Sequence, residues 1–305
     1  MVVVFLLLGI VFLLVGGDLL VKSSAALASK LNVSPFLIGI TVVSFGTSAP
    51  ELLVSLNAAL QGSAGIAIGN VIGSNIANIA LVLGLTILIR PINVESKRYL
   101  FSWMIMLVSS VMFYGFSMDG IIDPIDGLFF ISGLILFISL SIRYRHSSID
   151  EEEIEEGMNS RIIPLYFILG AAGLYFGSEF LVANSVIIAK YFGLSEFVIG
   201  ITIVALGTSL PELVTSVIAI LKGQSSISIG NLIGSNIFNV FAVLGITSLV
   251  RPLGADTNLL ISDLPIMLGV TLLLGLFLFI SRKLRRIEGL LLISIYLIYV
   301  AFSIS

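Results

Sequence analysis

Two glutamates carry the chemistry of this sequence. Each follows a proline inside a long apolar run: Gly46-Thr47-Ser48-Ala49-Pro50-Glu51 and Gly207-Thr208-Ser209-Leu210-Pro211-Glu212. An ionised carboxylate deep in a bilayer is expensive, by at least about 2.5–3.5 kcal/mol on insertion scales. Proline has no amide hydrogen, and its ring crowds the carbonyl four residues back, which is Gly46 in the first copy. Ala49, the residue before it, is pushed away from the α region. The helix is therefore expected to break here and to free carbonyls near Ser44–Thr47. In hydrocarbon such carbonyls are tolerated only where they line a cavity or bind something. Thr47 and Glu51 stand four apart and share a face, as do Thr208 and Glu212. Two readings stand: the acids face one another around a divalent cation, or they snorkel to an interface or stay protonated. The recurrence of the same broken helix beside each acid favours the cation.

A second motif follows each glutamate. Asn70, Ser74 and Asn78 fall on one helical face, with Gly69 and Gly73 in a small-xxx-small pattern that permits close helix approach. The second copy supplies Gly230, Asn231, Gly234, Ser235, Asn236 and Asn239. Packing with interhelical amide bonds explains the glycines. It does not readily explain three amides and a hydroxyl on each of two helices, so Ser74, Asn78, Ser235 and Asn239 are read as neutral oxygen ligands. A phosphate loop fits poorly, with no lysine and no strand context. All these groups are hard oxygens, which suit Ca²⁺ and Na⁺ better than zinc or copper. Two carboxylates balance one Ca²⁺. Two or more Na⁺ at the same oxygens would give coupled exchange.

The elements that position these residues come in two sets. Residues 38–91 and 199–252 match without a gap at a constant offset of 161, with about 32 of 54 positions identical, far beyond chance for apolar stretches. The chain of 305 residues is 58% hydrophobic and 11% charged, and its mean hydropathy is +1.17. A soluble domain carries about a quarter charged residues, so most of this surface faces lipid. Apolar runs lie near 2–29, 35–60, 66–89, 98–117, 124–143, 162–190, 196–221, 227–250, 258–280 and 286–303. About 20 residues span the hydrocarbon, which predicts an all-α integral membrane protein of ten spans, the second and seventh broken. Residues 1–21 lack a basic n-region and have a counterpart near 162–190, so they read as a retained span rather than a signal peptide. The division is 1–145 for one five-helix repeat, 146–160 for an acidic cytoplasmic linker, and 161–305 for the second repeat. Five is odd, so the halves enter the membrane inverted, the architecture of many secondary transporters with midplane sites.

Charge placement gives the orientation. One side collects Lys30, Arg90, Lys97, Arg98, Arg143, Arg145, Arg161, Lys222, Arg282, Lys283, Arg285 and Arg286, and the other only Lys190 and Arg251. Both termini are therefore expected outside. The linker holds Asp150, Glu151, Glu152, Glu153, Glu155 and Glu156 but lacks the spacing and central glycine of an EF-hand, and reads as solvated. His146, the sole histidine, falls in the same stretch. There is no cysteine, so disulfides and thiolate metal sites are excluded. No basic–aromatic stripe points to nucleic acid. Asp18 and Glu179 share the 161-residue offset; they either attract cations at an access path or partner the unwound backbone.

The paired motifs resemble the cation/Ca²⁺ exchanger superfamily, whose repeats carry G-T-S-x-P-E and G-S-N-x-x-N/D. The resemblance covers nearly the whole chain. It implies ten transmembrane helices, four sites in a rhombus, and alternating access by sliding of helices 1 and 6. It further implies that Glu51 and Glu212, with the carbonyls of Thr47 and Thr208, hold Ca²⁺. Ser48, Ser209, Ser74, Ser235 and backbone near Ser44 and Ala205 would complete Na⁺ sites, with Asn78 and Asn239 at the middle position. K⁺-dependent members typically place Asp where Asn239 stands, as do some prokaryotic members; Asn resembles the K⁺-independent exchangers of animals. The H⁺/Ca²⁺ branch tends to carry a further glutamate where this chain has Asn75 and Asn236. The implied activity is Na⁺/Ca²⁺ antiport, with H⁺/Ca²⁺ or K⁺-dependent exchange on the same fold as the alternative. The implied partners are Ca²⁺, Na⁺ and membrane lipid, with no organic cofactor, and a monomer suffices for a site between the halves. An intramembrane enzyme finds no support: there is no HExxH, no GxGD and no histidine within a span. A cation channel is the remaining rival.

Overall fold

Apart from a closed barrel, only helices carry so much apolar chain through lipid without stranding backbone groups. The computed structural model describes residues 1–94, 96–143, 158–193, 205–255, 259–281 and 283–304. Among the described residues eight helices are long and apolar enough to cross a membrane. They are Val2–Leu31, Ala64–Ile89, Tyr99–Ser117, Pro124–Arg143, Ile163–Tyr191, Ser225–Val250, Ile261–Ile280 and Arg286–Ser303. Pro35–Thr47 and Ala49–Leu60, bent by 40°, make a ninth if taken as one span. Of the run expected at 196–221, the described part is Ala205–Thr208 and Leu210–Leu221. The acidic linker, His146 included, lies outside the described residues up to 157.

The interruption in each signature falls one residue earlier than expected. Ser48 (φ −87°, ψ 3°) and Ser209 (φ −87°, ψ 5°) leave the helix, while Ala49 and Leu210 already begin the next one. Proline in the first turn of a new helix loses no hydrogen bond. The non-helical torsion is therefore placed ahead of that turn, on serine rather than on the residue touching proline.

Helices Val2–Leu31 and Ile163–Tyr191 pair lengthwise along glycines at matching repeat positions. A Cβ on Gly9 would stand 2.9 Å from the Gly177 carbonyl, and one on Gly16 would stand 2.8 Å from that of Gly170. Added in reverse, on Gly177 or Gly170, it meets the Gly9 or Gly16 carbonyl at 2.9 Å. Backbones this close leave no room for a side chain.

Ala64–Ile89 and Ser225–Val250 sit at the centre and are the most enclosed spans. Gly39, Gly230 and Gly234 let the start of the bent helix close on the second of them; a Cβ on Gly230 would be 2.7 Å from the Phe36 carbonyl. The peripheral helices turn Leu7, Phe129, Ile135 and Leu297 outward, as a lipid-facing surface requires. Two short antiparallel pairs tie the loops: Ile92–Asn93 with Lys283–Leu284, and Ile121–Ile122 with Leu253–Gly254.

Candidate cation site

Ala49–Leu60 packs on the start of Ala64–Ile89, and Leu210–Leu221 on the start of Ser225–Val250. Glu51 and Glu212 are both 0% exposed and lie in the first turns of Ala49–Leu60 and Leu210–Leu221. A helix N-terminus carries partial positive charge, which favours an acid there. Ser48 donates to Glu212 Oε1 at 3.3 Å. Glu212 Oε2 and both oxygens of Glu51 have no hydrogen-bond partner.

The threonines and serines between the acids cross from one repeat to the other. Thr47 donates to Asn231 Oδ1 at 3.0 Å and lies 3.2 Å from the Ser235 hydroxyl. Its counterpart Thr208 lies 3.4 Å from the Ser74 hydroxyl. Ser209 Oγ is buried without a partner. Ser44 is fully buried; its hydroxyl lies 2.8 and 3.0 Å from the Gly39 and Asn231 carbonyls, which share its one hydrogen. The Ser44 carbonyl accepts the Ser48 N–H at 2.9 Å, so it is not one of the freed carbonyls. Pro50 offers no N–H to the Gly46 carbonyl four residues before it. Ala205 opens its short helix at the mirrored position.

Asn78 and Asn239 are fully buried. Asn78 lies in a π-helical stretch, Ala77–Leu83, and Asn239 opens another, Asn239–Leu244. A π turn adds a residue to the ring and re-aims the side chain there, a device frequent at functional sites. Both amide atoms of Asn78 and Oδ1 of Asn239 are without partners. Asn78 also borders a small cavity lined otherwise by apolar side chains, among them Leu232, Leu274 and Leu284.

The twelve expected residues lie on these segments, with Ser48 and Ser209 in the interruptions between helices. Three polar residues outside that set also take part. Asn70 donates to the Glu51 carbonyl at 3.2 Å and to Ser55 at 3.0 Å, while Asn231 donates to Ser216 at 3.2 Å. Asn75 bonds Asn239. The signal for Asn70 and Asn231 was their place four residues before Ser74 and Ser235 on one face. Asp18, by contrast, engages Lys22 at 3.0 Å and Lys222 at 2.7 Å.

Buried oxygens without donors are normally few, because each forfeits its hydration. Several lie on these segments: three of the four glutamate oxygens, the amide oxygens of Asn78 and Asn239, and the Ser209 hydroxyl. Among the described residues no group of three or more His, Cys, Asp or Glu side chains forms. The candidate ligands are two carboxylates plus neutral oxygens, chemistry that suits a hard cation.

A helical membrane protein with related halves, each supplying a buried carboxylate just after an interrupted helix, has the architecture of a secondary transporter. Its sequence matches the family described as sodium/calcium exchanger protein over residues 1–143 and 162–305. It is 38% identical to the putative antiporter CaxA of Alkalimonas amylolytica, covering 97% of this chain and 96% of that one. It is 34% identical to the sodium/calcium exchanger MaX1 of Methanosarcina acetivorans, covering 96% of each. The structure of the sodium-calcium exchanger NCX_Mj soaked with 10 mM Na⁺ and zero Ca²⁺ superposes with a TM-score of 0.87 over 99% of each chain, at 35% identity. The chain belongs to the sodium/calcium exchanger family.

Proposed function

We propose that the protein exchanges Na⁺ for Ca²⁺ at one site formed by both halves, by alternating access. The observation that carries this reading is the pair of fully buried glutamates, three of whose four oxygens accept no hydrogen bond. Glu51 and Glu212 neutralise one Ca²⁺. The Thr47 and Thr208 carbonyls complete its shell. Ser48, Ser209, Ser74, Ser235 and backbone near Ser44 and Ala205 serve Na⁺, and Asn78 and Asn239 occupy the middle. Because the carboxylates are shared, the two cations displace each other, and no step leaves the acids facing one another unneutralised. The named relatives support this reading: one is a sodium/calcium exchanger and one a putative antiporter.

Ten spans in two inverted five-helix repeats, 1–145 and 161–305 about an acidic linker at 146–160, complete the proposal. The short strand pairs support it. One joins the loops after the third and ninth spans, the other those after the fourth and eighth, and ten spans place each pair of loops on one side. The two joints also differ in charge. Lys283, Arg285 and Arg286 flank the first, and Asp119, Asp123 and Asp126 flank the second. The first is then cytoplasmic and both termini lie outside.

Proteoliposomes with an imposed outward Na⁺ gradient are expected to take up radiolabelled Ca²⁺, with a membrane potential changing the rate. Equal uptake driven by a pH gradient without Na⁺ would replace this reading with H⁺/Ca²⁺ exchange.

A further inference from the structure

A carboxamide offers a cation its oxygen and repels it with its N–H end, so an asparagine serves as a ligand only if something fixes which end faces the site. At Asn239 that something is visible. Its Nδ2 donates to Asn75 Oδ1 at 3.1 Å across the repeat boundary, and its Oδ1 is left without a partner. Both side chains are buried. The end that Asn75 presents is fixed in turn. Its Nδ2 faces the sulfur of Met267 at 3.6 Å, an atom that accepts and cannot donate.

The contact is not a by-product of the repeat. Asn236 and Asn78 are the counterparts of Asn75 and Asn239, and Met106 is the counterpart of Met267. Yet Asn236 donates to the Leu232 carbonyl in its own helix at 2.7 Å, and Asn78 is left with neither amide atom bonded. The same residues at mirrored positions are thus bonded differently. One middle-position asparagine is held with its oxygen free and the other is not held at all.

We propose that Asn75 is a positioning residue for cation binding: it takes up the amide hydrogen of Asn239 and so turns the Asn239 oxygen toward the ion. This rests on the two-glutamate site described above. Asn75 itself touches no ion. Its effect falls on affinity, and it acts only through Asn239.

A double-mutant cycle tests this. Radiolabelled Ca²⁺ exchange is measured in proteoliposomes for Asn75→Leu, Asn239→Ala and the double variant, with Asn236→Leu and Glu212→Gln alongside. Asn75→Leu is expected to raise the KM for Ca²⁺ about two- to tenfold, the worth of one hydrogen bond, with the maximal rate within about twofold. In the Asn239→Ala background the same substitution is expected to change KM no further. Asn236→Leu is expected to leave KM unchanged. If Asn75→Leu loses its fold, as read by size-exclusion profile, Asn75→Ala replaces it in the same cycle. The proposal is overturned if the Asn75 variant leaves KM unaltered, or raises it equally with and without the Asn239 side chain. Exchange persisting in Glu212→Gln would instead overturn the reading of the site.

Discussion

The Ser48 hydroxyl donates to Glu212 Oε1 at 3.3 Å, so the two signature segments meet side chain to side chain. The serine that interrupts one broken helix thereby supports the acid that begins the other. In the proposed site its oxygen also serves as a neutral ligand beside the carboxylate. Ser48→Ala is expected to raise the Na⁺ concentration for half-maximal exchange about tenfold, within the range for a hydrogen bond to a charged group. The effect on Ca²⁺ should be smaller, because the carboxylates dominate its binding. Titrating radiolabelled Ca²⁺ flux against Na⁺ and against Ca²⁺ separates the two; an equal change in both would contradict it.

Glu51→Gln and Glu212→Gln each remove one of two charges from a site that must offset a divalent ion. At a few ångströms in a medium of effective dielectric near 20, one charge pair is worth about 4 kcal/mol. Each variant is expected to lower Ca²⁺ exchange at least about a hundredfold. Glutamine preserves shape and relieves the repulsion between the acids, so the fold should hold. A thermal melt then reads the site directly: Ca²⁺ raises the wild-type midpoint by mass action and leaves those of both variants unmoved.

Much of this was legible in the residues and some was not, for physical reasons. Hydropathy located the described spans to within about two residues, since about 20 apolar residues have few other uses. Glu51 and Glu212 stood out because acids after prolines in apolar runs are costly and occur here at one offset. The placement of the break at Ser48 instead of Ala49 depended on the next helix absorbing Pro50 into its first turn. The π turns at Asn78 and Asn239 leave no mark on periodicity, being set by the backbone register of a packed helix. The different bonding of Asn75 and Asn236 could not be read at all, because the two residues are identical in type and motif. Asp18 was open between two roles, and its choice of Lys222 depended on a helix 200 residues away.

Asn239→Asp would add a third carboxylate to the centre. Ca²⁺ should then bind more tightly and leave more slowly, since attraction stabilises the bound state more than the barrier to release. The expected result is a lower KM for Ca²⁺ together with a lower maximal rate, each by several-fold. Counter-transport against Na⁺, K⁺ and H⁺ gradients in wild type and variant would also show whether the added charge admits K⁺. A higher KM would mean that the new carboxylate points away from the ion.

Gly16 is one of the glycines that let Val2–Leu31 approach its partner helix: a Cβ there would lie 2.7 Å from the Leu174 nitrogen. That atom is backbone and cannot step aside. Gly16→Ala is expected to destabilise the pair by about 1–3 kcal/mol, the usual range for overpacking. Gly115→Ala, where an added Cβ meets nothing within 4 Å, is the matched control. It should be neutral or stabilising by up to about 1 kcal/mol through helix propensity. Melting midpoints in one detergent, measured side by side, decide the matter; equal losses would refute the close contact.

Lys222 holds Asp18 at 2.7 Å, and this ion pair has no equivalent in the other half. The counterpart of Asp18 is Glu179, but those of Lys222 and Lys22 are Gln61 and Ala183, which carry no charge. Beside Asp18, Gly17 lets Val214 and Ile218 close on the first helix, with an added Cβ 2.8 Å from Ile218 Cδ1; its counterpart is Ser178. Alternating access exchanges the contacts made by the two halves. A tether available to only one half therefore biases one facing state. Both side chains are partly exposed, Asp18 a little more than a third, so the pair contributes no more than about 1 kcal/mol, a shift of at most about fivefold in the ratio of states. Such a pair weakens with ionic strength. In oriented proteoliposomes the ratio of Ca²⁺ half-saturation on the two faces should depend on choline chloride concentration in wild type. In Lys222→Gln that dependence should largely vanish. The same salt dependence in both would show that the ion pair does not distinguish the states.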